Sequence, residues 1–273
     1  MREGLLHWST RYEKITRLNI LRYPGGKYWF IPRAVRFIKS LPERPKILIE
    51  PFGGGACIGL TLLASDLIDK LVLVELDSDI AAFWRAALDG SLIPKVRDFK
   101  CNRKNVINVI KNKLNDPAFY VLVKNRCSMG GLIHNGGLVR NEKNGLGIAY
   151  RWNKTSLITK LELIHSLASK IEFIEGDGIQ VLKERNKKGY TAFIDPPYVV
   201  AGKQLYQCWY LDHESLIKVL SKWEGDWVAT YDDNPTIITL AKEYQLPHKR
   251  IAMTTNLKKE KKELVLAKDL SWL

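Results

Sequence analysis

The stretch KILIEPFGGGACIGLTLLAS, residues 46–65, decides the fold. It begins with a short apolar run that ends at Glu50, continues through three glycines, and ends in a longer, mostly apolar run. A short apolar run followed by glycines is typical of a buried strand, and the longer run after it is typical of a helix. The stretch therefore predicts a strand, a glycine turn and a helix, which together form the repeating unit of a parallel sheet.

Further strands alternate with helices along most of the chain. In chain order these are a strand at 71–74 before a helix at 77–88, a strand at 170–174 before GDG and a helix at 179–186, a strand at 190–194 before DPPY, and a strand at 227–230 before a helix at 236–244. The last two apolar runs, 249–254 and 263–268, are too close for a crossover helix and predict an antiparallel hairpin. We therefore expect an α/β fold with a doubly wound, mostly parallel sheet.

Residues 90–165 interrupt this alternation. Residues 102–114 predict a helix, and residues 126–152 contain Gly and Asn pairs that are typical of hairpin turns. The segment holds 14 Lys and Arg against 4 Asp and Glu. We expect residues 90–165 to be an inserted helical and hairpin recognition subdomain, with residues 1–89 and 166–273 forming the main domain.

The charge of the chain indicates a nucleic-acid partner. The 273 residues include 43 Lys and Arg but only 29 Asp and Glu, which is a formal net charge of +14 at pH 7. Much of the excess lies in residues 90–165 and in residues 1–36, which hold 8 basic against 2 acidic residues. Concentrated positive charge is what binding to a phosphate backbone requires, although many basic proteins bind no nucleic acid.

The composition excludes several other classes of protein. With 46% hydrophobic and 26% charged residues, the chain has the make-up of a globular protein rather than of a disordered or fibrous one. No apolar run reaches the roughly 18 residues of a membrane span, so we expect a cytoplasmic protein without a membrane partner. The 4 Cys form no CxxC pair and the 5 His show no ligand spacing, so the sequence predicts neither disulfides nor a metal site.

A glycine turn and an acidic residue form a candidate ligand site. EPFGGGA, residues 50–56, follows a strand, and open α/β sheets bind nucleotides there because glycine lets a ligand approach the backbone. A tight structural turn is the alternative, and a phosphate-binding P-loop is excluded because no Lys-Ser or Lys-Thr pair follows. Glu75 ends the second strand and can accept hydrogen bonds from ribose hydroxyls, or it caps the next helix, for which Asp77 is better placed.

The tetrapeptide DPPY, Asp195 to Tyr198, indicates a site for a flat ring that carries an amine. Pro196 and Pro197 stiffen the chain that leaves the strand, so the neighbouring groups point in set directions. Asp195 and the Pro196 carbonyl can accept hydrogen bonds from an exocyclic amino group while the Tyr198 ring stacks on the base. A strand that simply ends in a proline turn is the alternative.

In their order along the chain, these motifs resemble those of one enzyme family. RYPGGK (22–27), EPFGGGA, the acidic Glu75, GDG around Asp177 and DPPY are similar to the motifs of Dam-type (class alpha) DNA N6-adenine methyltransferases, and LDHESL (211–216), TYDD (230–233) and KELVL (262–266) extend the similarity. The resemblance implies the Rossmann-like fold of S-adenosylmethionine-dependent methyltransferases. It also implies site-specific methyl transfer from S-adenosylmethionine to the N6 amine of an adenine flipped out of double-stranded DNA.

The resemblance implies roles for individual residues as well. Tyr23 would lie against the cofactor, Lys27 would meet the cofactor carboxylate, Glu75 would hold the ribose hydroxyls, and Asp177 would lie near the adenine edge of the cofactor. The implied catalytic residues are Asp195, Pro196, Pro197 and Tyr198, which would receive the target adenine. The implied cofactor-binding residues are Tyr23, Gly26, Lys27, Glu50, Phe52, Gly53, Gly55, Glu75, Asp177 and Asp195.

The inserted segment is expected to read the target sequence. NRCSMGG, which contains Arg126, resembles the Asn-Arg start of the family's recognition hairpin. The residues after it lack the proline-containing end of the GATC-specific members, so that specificity is not implied. We expect Arg126 and Arg140 to approach DNA, and Lys143 and Arg151 to neutralise phosphates, with a solvated surface role as the alternative for each. Trp152 is either a core residue or an intercalating wedge.

Two other functions are compatible with the sequence. The first is methylation of an adenine amine in RNA, which competition between duplex DNA and RNA distinguishes. The second is a non-catalytic nucleic-acid-binding protein on a methyltransferase scaffold, although such a protein has no physical need to keep Lys27, Glu75, Asp195 and Tyr198 together. A restriction-modification system, a phage and a housekeeping pathway fit equally well as settings, and a monomer is compatible with the sequence.

Overall fold

A seven-stranded sheet forms the centre of the computed structural model, which describes residues 14–22, 25–134, 136–140, 147–200, 202–205, 207–254 and 260–273. The strands are β1 Ile47–Glu50, β2 Lys70–Glu75, β3 Ile171–Glu175, β4 Tyr190–Ile194, β5 Asp226–Asp232, β6 His248–Thr254 and β7 Glu260–Ala267. Their order in the sheet is β3-β2-β1-β4-β5-β7-β6. The first five strands are parallel, and β7 runs antiparallel to both β5 and β6.

Helices cover both faces of the sheet. They are α1 Ile31–Ser40, α2 Cys57–Ala64, α3 Ser78–Leu88, α4 Leu92–Asp98, α5 Arg103–Lys111, α6 Pro117–Cys127, α7 Lys154–Ser166, α8 Gly178–Glu184, α9 Gly202–Leu205, α10 His213–Ser221 and α11 Pro235–Glu243. Successive strand residues point to opposite faces, so Leu71 and Leu73 pack with α1 to α7 while Val72 and Val74 pack with α8, α10 and α11. The two apolar clusters make the central strands apolar throughout, which is why their sequence runs are continuous rather than alternating.

The expected fold class is confirmed. The sheet is mostly parallel and doubly wound, and the position of the antiparallel β7 between β5 and β6 is typical of S-adenosylmethionine-dependent methyltransferases. The chain therefore has the Rossmann-like fold of that class. The antiparallel pairing of β6 with β7 was also predicted correctly, but the insertion of β7 next to β5 was not, because strand order depends on contacts that are distant in sequence.

The helices of residues 90–165 share one apolar cluster with α1, α2 and α3. The predicted helix at 102–114 is present as α5, whose first turn is capped by the Asn102 side chain, while α4, α6 and α7 were not predicted. Trp152 packs edge-on against Phe99 and Phe119 and is 7% exposed. Trp152 is thus a core residue rather than a wedge.

The start of the predicted hairpin is present at the end of α6. Ser128 forms an antiparallel bridge with Leu138, and the Val139 N–H donates to the Cys127 carbonyl at 2.9 Å.

Cys127 also lies close to Cys101, with 3.8 Å between the two Sγ atoms, although both are free thiols. Across the described residues, no helix combines the length and the apolar character that crossing a membrane would need.

Candidate active site

A cleft opens at the carboxyl ends of β1 and β4. The strands β1 and β4 are neighbours in the sheet. The chain continues from β1 to β2 on one side and from β4 to β5 on the other, so the strand order reverses between β1 and β4. Open α/β sheets bind ligands at such a point. Most of the residues that the sequence indicated line the cleft: Gly26, Lys27, Glu50, Phe52, Gly53, Gly55, Glu75, Asp177, Asp195 and Pro197. Pro196 and Tyr198 belong to the same turn as Asp195, and Tyr23 lies outside the described residues.

The glycine turn after β1 is held by hydrogen bonds to β2 and α3. The Gly53 N–H donates to the Val74 carbonyl at 2.7 Å, and a Cβ at Gly53 would lie 2.9 Å from that oxygen. Gly54 has a φ of 44°, donates to Glu75 Oε2 at 2.7 Å and accepts from Trp84 Nε1 at 3.0 Å. The turn therefore needs glycine for its own packing, and its three glycines line the cleft.

Two buried glutamates lie at the turn. Glu50 Oε2 accepts a hydrogen bond from the Gly59 N–H at 2.9 Å, which fixes α2 to the end of β1, and burial raises the pKa of Glu50 to about 8. Glu75 accepts from Gly54 through Oε2 and from the Asp77 N–H through Oε1 at 2.9 Å, and burial raises its pKa to about 7. Each Glu75 oxygen keeps a second lone pair, so Glu75 can still accept a hydrogen bond from a ligand hydroxyl.

Two aspartates at the cleft begin helices. The Asp77 side chain caps α3, as expected, and the Asp177 side chain caps α8 by accepting from the Ile179 N–H at 2.8 Å. Gly178 follows Asp177, and a Cβ there would lie 2.0 Å from the Pro51 carbonyl oxygen. The start of α8 thus lies directly against the glycine turn, and only glycine fits at that contact.

A buried charge cluster surrounds the DPPY turn. Lys27 Nζ lies 2.7 Å from Asp195 Oδ1 and 3.6 Å from Glu263 Oε1, and the Lys27 side chain is 1% exposed. The Thr230 hydroxyl donates to Asp195 Oδ1 at 3.0 Å. The Tyr198 hydroxyl donates to Glu263 Oε1 at 3.1 Å. These contacts fix the positions of the Asp195 carboxylate and the Tyr198 ring from several separate parts of the chain.

The charges in this cluster shift one another's pKa. Burial raises the pKa of Asp195, and the Lys27 ammonium and the Thr230 hydroxyl oppose that rise. Burial raises the pKa of Glu263 to about 7, also against the effect of Lys27. Burial by itself would lower the pKa of Lys27, but the two carboxylates outweigh it and hold this pKa above its usual range. Lys27 therefore stays protonated, and its charge favours the ionised form of Asp195.

Lys27 has protein partners in addition to its place in the cleft wall. Its ammonium group contacts Asp195 and Glu263 and donates to the Gly25 carbonyl at 2.9 Å, and its contact with a cofactor carboxylate stays a prediction. The sequence analysis missed Glu263 and Thr230 as members of the site. One signal was present for Glu263, since it is the single charged residue within the buried stretch of β7.

Side chains that the sequence analysis did not assign form the rest of the wall. Tyr210, which is 77% exposed, and Cys208 line the cleft, together with Asp77 and Cys57. Burial, with the nearby acidic groups of Glu50 and Asp195, raises the pKa of the Cys57 thiol. Cys57 is therefore protonated and is no candidate for a thiolate nucleophile.

The basic residues of the inserted segment have different environments. Arg126 lies near the end of α6, its Nη2 donates to the Ile20 carbonyl at 2.5 Å, and burial lowers its pKa to about 10. Arg151 Nη1 donates to the Ser128 carbonyl at 3.1 Å, and Arg140 is exposed. Lys143 lies outside the described residues.

One group of potential metal ligands lies beside the cleft. Asp77, Asp79 and His134 each offer a ligand atom, and these atoms lie within 4.8 Å of one another. The Lys113 ammonium lies 2.5 Å from Asp79 Oδ2, and His134 Nε2 lies 2.9 Å from Asp77 Oδ2. Asp79 thus already has a cationic partner, and the His134 contact with Asp77 joins the inserted segment to the start of α3.

Comparison with known proteins identifies no family for this chain. No profile of a known protein family matches the chain, and no curated protein sequence matches it. Among solved structures, an rRNA methylase from Streptococcus thermophilus is 10% identical over 88% of this chain and 95% of that chain, with a TM-score of 0.38. A precorrin-6y C5,15-methyltransferase from Geobacter metallireducens is 9% identical over 85% of each chain, with a TM-score of 0.34. A spermidine synthase from Thermotoga maritima is 11% identical over 87% of this chain and 57% of that chain, with a TM-score of 0.35. Function therefore has to be inferred from the residues of the site.

Proposed function

We propose that the protein is an S-adenosylmethionine-dependent methyltransferase that modifies the N6 amine of an adenine flipped out of double-stranded DNA. The observation that carries this proposal is the position of Asp195. Its carboxylate lies at the end of β4, where the strand order reverses, and it lines the cleft between Lys27 and the rigid Pro-Pro-Tyr turn. A fixed acceptor beside an aromatic ring at this point suits a flat base with an exocyclic amine.

The residues of the cleft fit the proposed cofactor. Gly53 and Gly178 let the glycine turn pack directly against β2 and the start of α8, and both residues line the cleft. Glu75 lies at the end of β2 with lone pairs free for ribose hydroxyls, and Asp177 is next to the same turn. When bound, S-adenosylmethionine would supply an electrophilic methyl group. Phe52, Gly26 and Gly55, which also line the cleft, complete the surface on which it would lie.

The acceptors at DPPY address the weak nucleophilicity of an adenine amine. The lone pair of that amine is delocalised into the ring, so the nitrogen has to be oriented before it can attack. Asp195 and the Pro196 carbonyl would accept hydrogen bonds from the two amine hydrogens and direct the lone pair toward the methyl group. Tyr198 would stack on the base, and its hydroxyl bond to Glu263 holds it in place. No covalent enzyme intermediate is needed.

Lys27 contributes through Asp195. An isolated buried carboxylate tends to take up a proton, and a protonated Asp195 would lose one acceptor oxygen. The ammonium group at 2.7 Å opposes this, so Lys27 keeps Asp195 able to accept hydrogen bonds. Lys27 is thus proposed as a residue that positions and ionises the acceptor.

DNA binding would use the basic inserted segment. We propose Arg126, Arg140, Lys143 and Arg151 as the residues that contact DNA, with the positive charge offsetting part of the few kcal/mol that flipping a base costs. Residues 90–165 would then be the target-recognition part of the enzyme. The recognised sequence would depend on the exposed members of this set, such as Arg140.

The experiment that tests the proposal is transfer of a labelled methyl group from S-adenosylmethionine to unmethylated duplex DNA, followed by mapping of the modified positions. Asp195→Ala should lower the rate by about 10²- to 10³-fold or more, because it removes an acceptor that orients the amine. Asp226→Ala is the matched control, since Asp226 is an exposed aspartate at the opposite end of a neighbouring strand. Cofactor affinity, measured by calorimetry, should change little in Asp226→Ala.

The outcomes separate the alternatives. Methyladenine at one recurring short sequence, lost in Asp195→Ala, supports the proposal. Incorporation into RNA but not into DNA would replace the substrate and keep the chemistry. A protein that binds nucleic acid but not S-adenosylmethionine would be a binding protein on this scaffold, and the enzymatic proposal would be abandoned.

A further inference from the structure

A second depression, separate from the cleft, has a strongly basic lining. It is lined by Asn19, Ile20, Arg22, Tyr28, Arg126 and Lys160. Three of these six side chains carry a positive charge. They come from the N-terminal segment, the end of α6 and the middle of α7, which the fold brings together.

Two of the cationic groups are held in place by one piece of backbone. Arg126 Nη2 donates to the Ile20 carbonyl at 2.5 Å, and Lys160 Nζ donates to the Asn19 carbonyl at 2.8 Å. The backbone of Arg22 is fixed as well, because Asn125 accepts from its N–H at 2.8 Å and donates to its carbonyl at 3.2 Å. The depression is therefore a built feature in which the charges of Arg126 and Lys160 are fixed in position before any ligand arrives.

Among the described residues, no carboxylate is a main cause of the pKa shift of Arg22, Arg126 or Lys160. Burial and the neighbouring Arg22 lower the pKa of Arg126, and burial and Arg126 lower that of Lys160. Arg126 Nε is also buried without a hydrogen-bond partner. Like charges held together in this way destabilise the protein until an anion binds between them.

The depression lies next to the candidate active site. Tyr28 lines the depression and the preceding residue, Lys27, lines the cleft, so the two sites flank one short helical segment, Lys27–Phe30. Consecutive Cα atoms are only about 3.8 Å apart. An anion in the depression would therefore lie across this segment from the cleft.

We propose that this depression binds a phosphate of the nucleic-acid backbone close to the flipped nucleotide, through Arg22, Arg126 and Lys160. The nature of the ligand rests on the proposed function, since a flipped base carries its backbone phosphates to the rim of the cleft. Arg126 then contacts phosphate rather than a base edge, because its guanidinium is partly buried and already bonded to Ile20. Such a contact positions the strand without reading its sequence.

The salt dependence of DNA binding tests this proposal. Arg22→Gln and Lys160→Gln remove one charge each from the depression, and Lys154→Gln removes one charge from the same helix as Lys160 but outside it. Affinity for duplex DNA is measured by fluorescence anisotropy over a range of salt concentrations. The two depression variants should bind about tenfold more weakly at 50 mM salt and lower the slope of log affinity against log salt by about 0.9, equally for all DNA sequences.

A neutral methylphosphonate placed at single positions of the DNA locates the contact. At one position near the target adenine it should weaken binding by the wild-type protein but not by Lys160→Gln, whereas Lys154→Gln should behave like wild type. Equal effects of Lys160→Gln and Lys154→Gln at every position would overturn the proposal. The proposal would also be overturned if inorganic phosphate alone binds to the wild-type protein while methylphosphonate substitution leaves DNA binding unchanged at every position. That result would assign the depression to free phosphate.

Failure of the proposed DNA methylation can be distinguished from failure of the proposed phosphate site. If the protein binds RNA but not DNA, the same variants and a methylphosphonate-substituted RNA test the depression directly. A loss of slope there keeps the phosphate site while replacing the substrate. An unchanged slope on whichever nucleic acid the protein binds refutes the phosphate site, whatever the outcome of the methyl-transfer assay.

Discussion

Replacing Lys27 by Met removes the cation at the centre of the buried cluster while keeping most of its volume. Lys27 Nζ lies 2.7 Å from Asp195 Oδ1 and 3.6 Å from Glu263 Oε1. At an effective dielectric constant of about 20, these distances correspond to attractions of about 6 and about 5 kcal/mol. Most of this offsets the cost of burying the charges, so we expect Lys27→Met to lower the free energy of unfolding by about 3 to 5 kcal/mol at pH 8.

The loss should depend on pH in a defined direction. Without Lys27, Asp195 and Glu263 repel each other, and their pKa values rise further above those in the unfolded chain. The folded variant then binds more protons than the unfolded variant, so its stability falls as the pH rises from about 5 to 8. The destabilisation relative to wild type should be small at pH 5, where Glu263 is protonated, and full at pH 8.

Urea unfolding at pH 5 and pH 8 measures this effect, and a double-mutant cycle with Glu263→Gln isolates the pair. Glu263→Gln in the Lys27→Met background should restore part of the stability at pH 8, because it removes one of the two unpaired carboxylates. Arg44→Met serves as a control, since Arg44 forms a partly exposed ion pair with Asp66. A pH-independent loss in Lys27→Met, or no recovery with Glu263→Gln, would refute the assignment of the cluster as a coupled ionic unit.

Three further outcomes are expected. Gly178→Ala places a Cβ 2.0 Å from the Pro51 carbonyl oxygen, so the glycine turn must shift. Calorimetry should then show that the cofactor binds at least about tenfold more weakly. Unchanged affinity would mean that the turn does not hold the cofactor. Burial raises the pKa of Glu50 to about 8 in the folded state, so the wild-type free energy of unfolding should fall as the pH rises from about 5 to 8. Glu50→Gln should reduce that slope by on the order of 1 kcal/mol per pH unit in urea titrations. An unchanged slope would contradict the burial of Glu50 as the cause. Trp152→Ala should destabilise the protein by about 3 to 5 kcal/mol in thermal or urea unfolding, and a loss of DNA affinity without loss of stability would return it to the role of a wedge.

The strands of the central sheet could be predicted from the sequence because their signals are local. Each parallel strand is a short apolar run with a turn after it, and a helical pattern follows most of them, so β1 to β5 were found with boundaries shifted by a few residues at most. The helices of residues 90–165 were mostly missed. In α6, for example, almost every residue is buried, so no polar face marks a helical period.

The candidate site was predictable to the extent that its residues lie at strand ends. Asp195 follows β4, Glu75 ends β2, and the glycine turn follows β1, so parallel strands bring all three to one edge of the sheet. Glu263 lies on the antiparallel β7, and although it belongs to the KELVL motif, that motif does not by itself place it at the cleft. Its role depends on β7 lying beside β5, which aligns Glu263 with Asp232.

The sequence by itself determined the alternation of strands and helices, the doubly wound fold and the motif residues of the cleft, because these follow from hydrophobic periodicity and turn chemistry over a few neighbouring residues. Only the tertiary structure decided which charges face each other. It paired Lys27 with Asp195 and Glu263, buried Trp152 in the core, and assembled Arg126 with the cations Arg22 and Lys160 in one depression. The physical reason is that an ion pair or a charged depression is created by distance in space and by exclusion of water, and neither quantity is written in the spacing of residues along the chain.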